Sequence, residues 1–193
     1  MRFIISILSR LISGASLASV LLIGGCGSDT RSWQEEVKLA DGRVITVTQR
    51  RRYENVYDGQ RSGNLSREFW LTFKLTEFDN QEITWHENLV PRVLNVYQGK
   101  LYVVGIPSTE REFRQYGNPN PSYLGYRHEA GQWQRIRFNE IPEAIYDTNL
   151  LIASELPGDV KFVSLATKAD EIANDRLRNA QKRIDPKYVA LHY

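Results

Sequence analysis

The chain has 193 residues, of which 25 are basic and 23 acidic, and its formal net charge is +2. This length suits one domain that is large enough to bury a hydrophobic core without disulfide bonds. Both surplus charges, Arg2 and Arg10, lie in an N-terminal segment without acids, so the rest of the chain has no net charge that would support nucleic-acid binding. Aromatic residues are plentiful and the only Met is the first residue, which favours β structure.

Residues 1–25 have the order of a secretory signal: positive charge first, then an apolar run, then small residues. The apolar run from Leu11 to Ile23 is interrupted by Ser and Gly, and it is shorter than the about 20 residues that a membrane-spanning helix needs. The pattern therefore favours a cleaved signal. A retained transmembrane helix is the alternative.

The end of this segment, Leu22-Ile23-Gly24-Gly25-Cys26, resembles the lipobox of bacterial lipoproteins, in which an aliphatic residue and two small residues precede an invariant Cys. The resemblance implies cleavage between Gly25 and Cys26, a diacylglycerol thioether on Cys26, and a further acyl chain such as palmitate on the new amine. Gly27 in place of Asp implies sorting to the outer membrane, facing the periplasm, an implication that Asp29 weakens. The alternative is an incidental buried Cys at the end of an ordinary signal.

Lipidation of Cys26 leaves no thiol for a disulfide, a thiolate metal site or a nucleophile, because it is the only cysteine. Two or three fatty chains together hold a protein firmly on a membrane. Residues 26–32 then serve as a tether that reaches at most roughly 20 Å. Residues 33–193 are expected to form a single periplasmic α+β domain.

Several turn signals separate runs with the alternation of strands. Asp41-Gly42, Gln98-Gly99-Lys100 and Ala130-Gly131-Gln132 each predict a hairpin. The run from Phe69 to Leu75 alternates as a half-buried strand, with Trp70 on the face opposite the apolar set. These patterns predict a domain dominated by antiparallel strands.

Two short helical turns, one of which opens at Pro142, and a longer C-terminal helix are predicted. Thr109 and Glu112 fit a capping box and Gly117 fits a C′ position, so a short helix should run from Glu110 to Tyr116. A second helix follows Thr167, where an apolar stripe at helical spacing consists of Ala169, Ile172, Ala173, Leu177, Ala180 and Ile184. It is expected to pack on the sheet, with a coiled coil to a partner as the alternative. The predicted fold class is α+β, mainly antiparallel β hairpins in a meander with a C-terminal amphipathic helix.

The segment from Arg50 to Arg67 shows no clear periodicity and is predicted to be a long loop. Its arginines and tyrosines can grip an anionic partner such as lipid headgroups or a glycan. The residues that carry this hypothesis are Arg50, Arg51, Arg52, Tyr53, Tyr57 and Arg61. The alternative is a solvated loop in which Glu54 and Asp58 offset part of the charge.

Two aromatic residues, Trp70 and Tyr102, alternate with the apolar positions of their strands. Together they can form a platform for a glycan or an envelope protein, since amphipathic rings are enriched at interfaces. The alternative is a packing of two sheets in which both faces are buried.

The sequence contains no strong catalytic signature. It has neither a Gly-x-Ser-x-Gly motif nor a glycine-rich phosphate loop before a helix. His86-Glu87 and His128-Glu129 lie on predicted strands, where adjacent side chains point to opposite faces, so neither pair is a ligand set by itself and no metal or cofactor is expected. The sequence favours non-enzymatic binding or scaffolding at the periplasmic face of the outer membrane. The alternative is an envelope hydrolase that acts on peptidoglycan or another glycan with dispersed catalytic residues.

Parts of the mature chain resemble a group of uncharacterised proteobacterial envelope lipoproteins. The resemblance is carried by Val90 to Gly105, Tyr116-Gly117-Asn118-Pro119, and Gly131-Gln132-Trp133 followed by Ile141-Pro142. It covers much of the mature domain. It implies no particular activity and no functional residues.

Overall fold

In the computed structural model of the protein, residues 29–57, 62–151, 160–174 and 182–189 are described, and they contain nine strands in two sheets. The first sheet has the order β4-β3-β2-β1-β9 and is antiparallel except between β1 and β9, and the second has the antiparallel order β5-β6-β7-β8. The strands are β1 (Thr30–Lys38), β2 (Val44–Tyr57), β3 (Ser62–Lys74), β4 (Glu82–Glu87), β5 (Leu89–Tyr97), β6 (Lys100–Pro107), β7 (Leu124–Glu129), β8 (Gln132–Ile136) and β9 (Phe162–Val163).

Helices are a minor part of the described residues. They comprise α1 (Glu110–Gln115), α2 (Leu165–Asn174) and 3-10 turns at Thr76–Phe78, Phe138–Glu140 and Glu143–Ile145. The prediction of a domain dominated by antiparallel hairpins is therefore confirmed, and the described chain is mostly β.

The three predicted hairpins join β1 to β2, β5 to β6 and β7 to β8. In the turn between β5 and β6, Gln98 and Gly99 have φ angles of 50° and 72°, and in the next hairpin Ala130 and Gly131 have 49° and 79°. Two successive left-handed residues are typical of a type I′ turn, whose twist matches that of the flanking strands. Local turn chemistry thus sets these registers.

The predicted long loop from Arg50 to Arg67 is wrong. Strand β2 continues to Tyr57 and β3 begins at Ser62, so most of this segment is paired strand. The alternation of buried and more exposed positions continues only as far as Tyr53, and one of its buried positions there is held by the charged side chain of Arg51. A pattern based on apolar residues therefore cannot show it.

The two sheets pack face to face, because their apolar faces form one core. The first sheet contributes Val37, Val47, Phe69, Leu71, Phe73, Ile83 and Trp85, and the second contributes Leu89, Leu94, Leu101, Val103, Leu124 and Tyr126. A second cluster lies on the other face of the second sheet, where residues 138–146 and 184–188 cover Val93, Tyr102 and Val104. Strands β5 and β6 of the second sheet are therefore buried on both faces, whereas the first sheet keeps one face open to solvent.

The C-terminal helix differs from its prediction. Helix α2 begins at Leu165, where the Ser164 hydroxyl accepts a hydrogen bond of 3.1 Å from the Thr167 backbone N–H, and it is described to Asn174. Part of the predicted stripe, including Leu177 and Ala180, lies outside the described residues. Ile184 is buried but not helical, because its backbone N–H donates to the Tyr146 carbonyl at 2.9 Å, beside a bridge between Arg183 and Asp147. An amphipathic helix that reaches Ile184 is therefore not shown.

Candidate functional site

The solvent face of the first sheet carries a row of three side chains from neighbouring strands. Arg50 on β2 lies opposite Trp70 on β3, and Trp70 lies opposite His86 on β4. Directly opposed residues in antiparallel strands have Cβ atoms about 4.5–5.5 Å apart, so their side chains contact each other. We call Arg50, Arg52, Glu68, Trp70 and His86 the outer face.

The row on the outer face is a continuous stack. The His86 and Trp70 ring centroids are 4.4 Å apart with planes inclined by 10°, and the Arg50 guanidinium carbon lies 4.1 Å from the Trp70 ring centroid. Because Arg50 and His86 reach Trp70 from opposite neighbouring strands, they cover opposite faces of the indole. The indole therefore presents its edge to solvent, and neither of its faces is free to stack on a sugar ring.

Glu68 connects the stack to a second arginine. Its carboxylate accepts hydrogen bonds from Arg52 Nε at 2.7 Å and lies 3.2 Å from His86 Nε2. Partial burial opposes the ionisation of Glu68, but the hydrogen bonds from Arg52 and His86 outweigh it and lower the pKa of Glu68 below its ordinary value. Arg52 is thus neutralised within the face.

Arg50 differs from Arg52 in its partners. Within the described residues it forms a cation–π contact with Trp70 and no ion pair with a carboxylate, and it is exposed. Beside it runs a row of threonines, in which the Thr72 and Thr84 hydroxyls are 3.1 Å apart. The outer face therefore offers one exposed positive charge, held in place by an aromatic ring, next to a row of hydroxyl groups.

The remaining predicted residues of the arginine-rich segment divide between core and surface. Arg51 is buried, lies over the Trp33 ring at 4.7 Å and donates a 2.8 Å hydrogen bond to the Leu151 carbonyl. Burial lowers the pKa of Arg51. Tyr53 is also buried, with the Arg31 guanidinium over its ring at 5.3 Å. The prediction that Arg51 and Tyr53 lie in an exposed binding loop is wrong.

At the end of β2, Tyr57 is 74% exposed, and it is the most exposed large hydrophobic residue of the described chain. Arg61 lies outside the described residues, and so do Gly25 and Cys26. The structure therefore brings Arg50, Arg52 and Trp70 together and places Tyr57 at the far end of the same strand pair.

Tyr102 does not join Trp70 in a platform. It lies on β6 in the second sheet and is buried among the residues that cover that sheet, including Tyr123 and Ile145. The expectation of a shared platform is wrong, because residues far along the chain cover this face. The alternative of burial on both faces holds for β5 and β6 of the second sheet.

A buried polar cluster that the sequence analysis missed joins β1 to α2. The Glu35 carboxylate is fully buried, pairs with Lys168 and accepts a 3.0 Å hydrogen bond from the Leu151 N–H, and the Gln49 amide also donates to it. Burial lowers the pKa of Lys168, and the charge of Glu35 opposes this shift. The sequence does contain a signal of this cluster: Glu35 alternates with Trp33 and Val37, so an acid occupies a position that faces the core. The cluster links β1 to α2 and to the chain at Leu151.

The histidines occupy different environments. His86 belongs to the outer face, whereas His128 contacts Trp133 and Phe78 in a shallow groove of about 380 Å³ that Glu77 and Glu82 also line. Glu77 is held by Arg43, whose hydrogen bonds lower its pKa to about 2. No three potential metal ligands cluster anywhere in the part of the chain that the structure describes.

Two further findings bear on the class of protein. Among the residues with a described structure, none of the helices has the length and apolar character needed to cross a membrane. Comparison of the chain with protein-family models, with curated proteins and with solved structures finds no match.

Proposed function

We propose that the protein is a bacterial envelope lipoprotein, anchored through lipid on Cys26, that binds or scaffolds a partner at the periplasmic face of the outer membrane. The anchor is supported by the residues Ile23 to Cys26 of the sequence. It is also consistent with the position of β1, which begins at Thr30, only four residues after Cys26. The folded domain would then remain close to the lipid headgroups.

The observation that carries the binding role is the ordered stack of Arg50, Trp70 and His86 on an open sheet face. Long exposed side chains normally lose conformational freedom on binding, at about 0.5–1.5 kcal/mol each. Here the cation–π contact at 4.1 Å already restricts the Arg50 side chain. Trp and Arg are also the residue types most enriched among the side chains that dominate interface energies.

The chemistry of the face selects a class of partner. Both faces of the Trp70 indole are covered, so a neutral sugar ring has no aromatic surface on which to stack. Arg50 supplies a positive charge without a carboxylate partner among the described residues, and Thr72 and Thr84 supply hydroxyls beside it. The partner we propose is an envelope protein or a glycan that presents a carboxylate to Arg50.

Site-specific crosslinking in living cells tests this function. A photoreactive amino acid is placed at Thr72, beside the stack, and in a matched control at Gln134, which is exposed on β8 of the second sheet. We expect a discrete product from position 72 alone, and its loss when Arg50→Glu reverses the charge. Equal products from both positions, or a product indifferent to Arg50→Glu, would contradict the role of the outer face.

The anchor is tested separately by mass spectrometry and by membrane fractionation. The wild type should carry the mass of a lipid on Cys26 and sediment with membranes, and Cys26→Ser should do neither. Membrane retention of Cys26→Ser without attached fatty acid would refute the anchor while leaving the crosslinking result intact.

A further inference from the structure

Strands β2 and β3 are longer than the strands beside them, so their ends form a two-stranded projection. In the described chain, Tyr53–Tyr57 pair only with residues 62–66, apart from one hydrogen bond of 2.7 Å from the Tyr53 N–H to the Asp29 carbonyl. We call residues 53–57 and 62–66 the β2–β3 arm. Exposure rises along it, from buried Tyr53 to exposed Asn55 and Tyr57. The arm therefore extends beyond the two packed sheets.

The base of the arm is fixed to the body by charged groups. Arg67, an extra residue of β3 at a register shift, donates hydrogen bonds to Glu54 at 2.6 Å and to Glu112 on α1 at 3.1 Å. Arg111 of α1 also approaches Glu54, at 3.6 Å. These contacts hold the arm in one direction relative to α1.

The arm extends from the same end of the first sheet at which the chain leads back toward Cys26. Strands β1 and β2 are antiparallel, so the chain that precedes Thr30 leaves the sheet at the end where β2 extends as the arm. Cys26 is three residues before Asp29 and lies within about 10 Å of it by covalent geometry. Tyr57 is four residues beyond Tyr53, which is about 13 Å along the strand. The arm thus projects at least as far as the anchor can lie from the folded domain.

The side chains of the arm suit a lipid interface. Its end carries Tyr57, whose ring has an apolar body and a polar tip, and such rings concentrate at the headgroup level of membranes. Glu54 is the only charged residue among residues 53–57 and 62–66, and Arg67 and Arg111 already pair with it. In the sequence between these two ranges, Asp58 and Arg61 carry opposite charges, so they add no net charge. Contact with a membrane would therefore depend on the aromatic ring and not on attraction between charges.

We propose that the β2–β3 arm is a second membrane contact, in which Tyr57 lies in the headgroup layer of the membrane that holds the lipid on Cys26. This inference rests on the proposed lipid anchor. Two separate contacts fix the orientation of a domain, whereas one flexible tether does not. The strands of the first sheet would stand away from the membrane, and Arg50 would lie seven residues from Tyr57, about 23 Å above the arm end.

Spin labelling of the lipidated protein tests the proposal. Because the sulfur of Cys26 is blocked by lipid, a new cysteine is the only free thiol. A nitroxide is attached at Asn55→Cys, which leaves Tyr57 intact, with Thr46→Cys as the control, since Asn55 and Thr46 are both exposed on β2. The protein is reconstituted into vesicles of phosphatidylethanolamine and phosphatidylglycerol. The vesicles should reduce collisions of the label with an aqueous nickel complex at position 55 and leave those at position 46 unchanged, in low and in high salt alike.

A second substitution tests whether the tyrosine ring makes the contact. Tyr57→Ser in the protein labelled at Asn55→Cys should remove the protection by vesicles. Equal accessibility at positions 55 and 46 in protein that retains Tyr57 and whose Cys26 carries lipid would overturn the arm contact and leave the anchor standing. Absence of the lipid mass from Cys26 would overturn the anchor, and the arm proposal with it.

Discussion

Arg67 and Arg111 both contact the carboxylate of Glu112, yet their removal should have very different effects. Glu112 Oε1 lies 3.1 Å from Arg67 Nη1 and 2.9 Å from Arg111 Nε. The side chain of Arg67 is 8% exposed and that of Arg111 is 58% exposed, while Glu112 is fully buried. Distance alone would rank the two pairs as equal, so burial decides between them.

Breaking a buried ion pair costs about 3–5 kcal/mol, because the remaining charge stays buried without its partner. For Arg67→Ala we expect about 3 kcal/mol, the lower end, since Thr109 and Arg111 still donate to Glu112. In a domain of this size that lowers Tm by about 6–12 °C. Arg111→Ala removes an exposed contact of about 0.2–1 kcal/mol. Urea and thermal unfolding, followed by tryptophan fluorescence, measure both.

The effect of pH sharpens this comparison. Burial opposes the ionisation of Glu112, but hydrogen bonds from Thr109 and Arg111 and the charge of Arg67 hold its pKa below the ordinary 4.5. A lowered pKa contributes stability above pH 4.5 that is lost as the pH falls through the folded-state value. The cost of Arg67→Ala should therefore be largest at neutral pH and shrink in acid. Equal costs for the two alanine variants, or a cost of Arg67→Ala that is independent of pH, would refute this reasoning.

Three further predictions use matched variants. Trp70→Ala removes two stacking contacts and should lower the free energy of unfolding by about 1–2 kcal/mol, whereas Trp85→Ala empties a fully buried site and should lower it by about 3–5 kcal/mol. Equal costs in urea unfolding would contradict an open face at Trp70. Gly125→Ala places a Cβ 2.7 Å from Ile141 and should cost about 1–3 kcal/mol. Gly63→Ala, whose Cβ meets its nearest atom at 4.0 Å, should not destabilise the protein, as unfolding midpoints would show. The hydrogen bonds from Arg43 lower the pKa of Glu77 from 4.5 to about 2, so the stability that this pair contributes above pH 4.5 is lost as the pH falls toward 2. Arg43→Ala should make the free energy of unfolding depend less on pH in this range. An unchanged dependence on pH in acid unfolding would refute this prediction.

Local signals in the sequence predicted the hairpins well. A turn such as Ala130-Gly131 needs two successive residues with left-handed φ angles. This conformation involves only the two residues of the turn, so a local pattern is enough to predict it. The strand from Phe69 to Leu75 was predictable for a similar reason, because its apolar residues face the core in strict alternation. The orientation of Trp70 followed from the same alternation.

The remaining features depend on contacts between distant residues. Gln49 and Arg51 are buried because the Leu151 carbonyl, about a hundred positions away, accepts their hydrogen bonds, and no local pattern contains that partner. Tyr102 is buried because a segment near Ile184 covers its sheet. The stack on the outer face could be predicted only from the register of three strands, because Arg50 and His86 meet only through their shared neighbour Trp70.

The buried pair of Arg67 and Glu112 also has a consequence for the arm. Replacement of a buried ion pair by apolar residues of similar volume is often neutral for stability. Arg67→Met with Glu112→Leu should therefore unfold at nearly the wild-type urea concentration, although Glu54 loses its 2.6 Å hydrogen bond from Arg67. Arg67 then no longer links the arm to α1, and only the exposed Arg111 still approaches Glu54, at 3.6 Å. In the double variant a nitroxide at Asn55 should consequently move faster and lose its protection by vesicles, while lipid on Cys26 is unchanged. If stability is retained and the label stays as ordered and protected as in the wild type, the ion pair does not orient the arm.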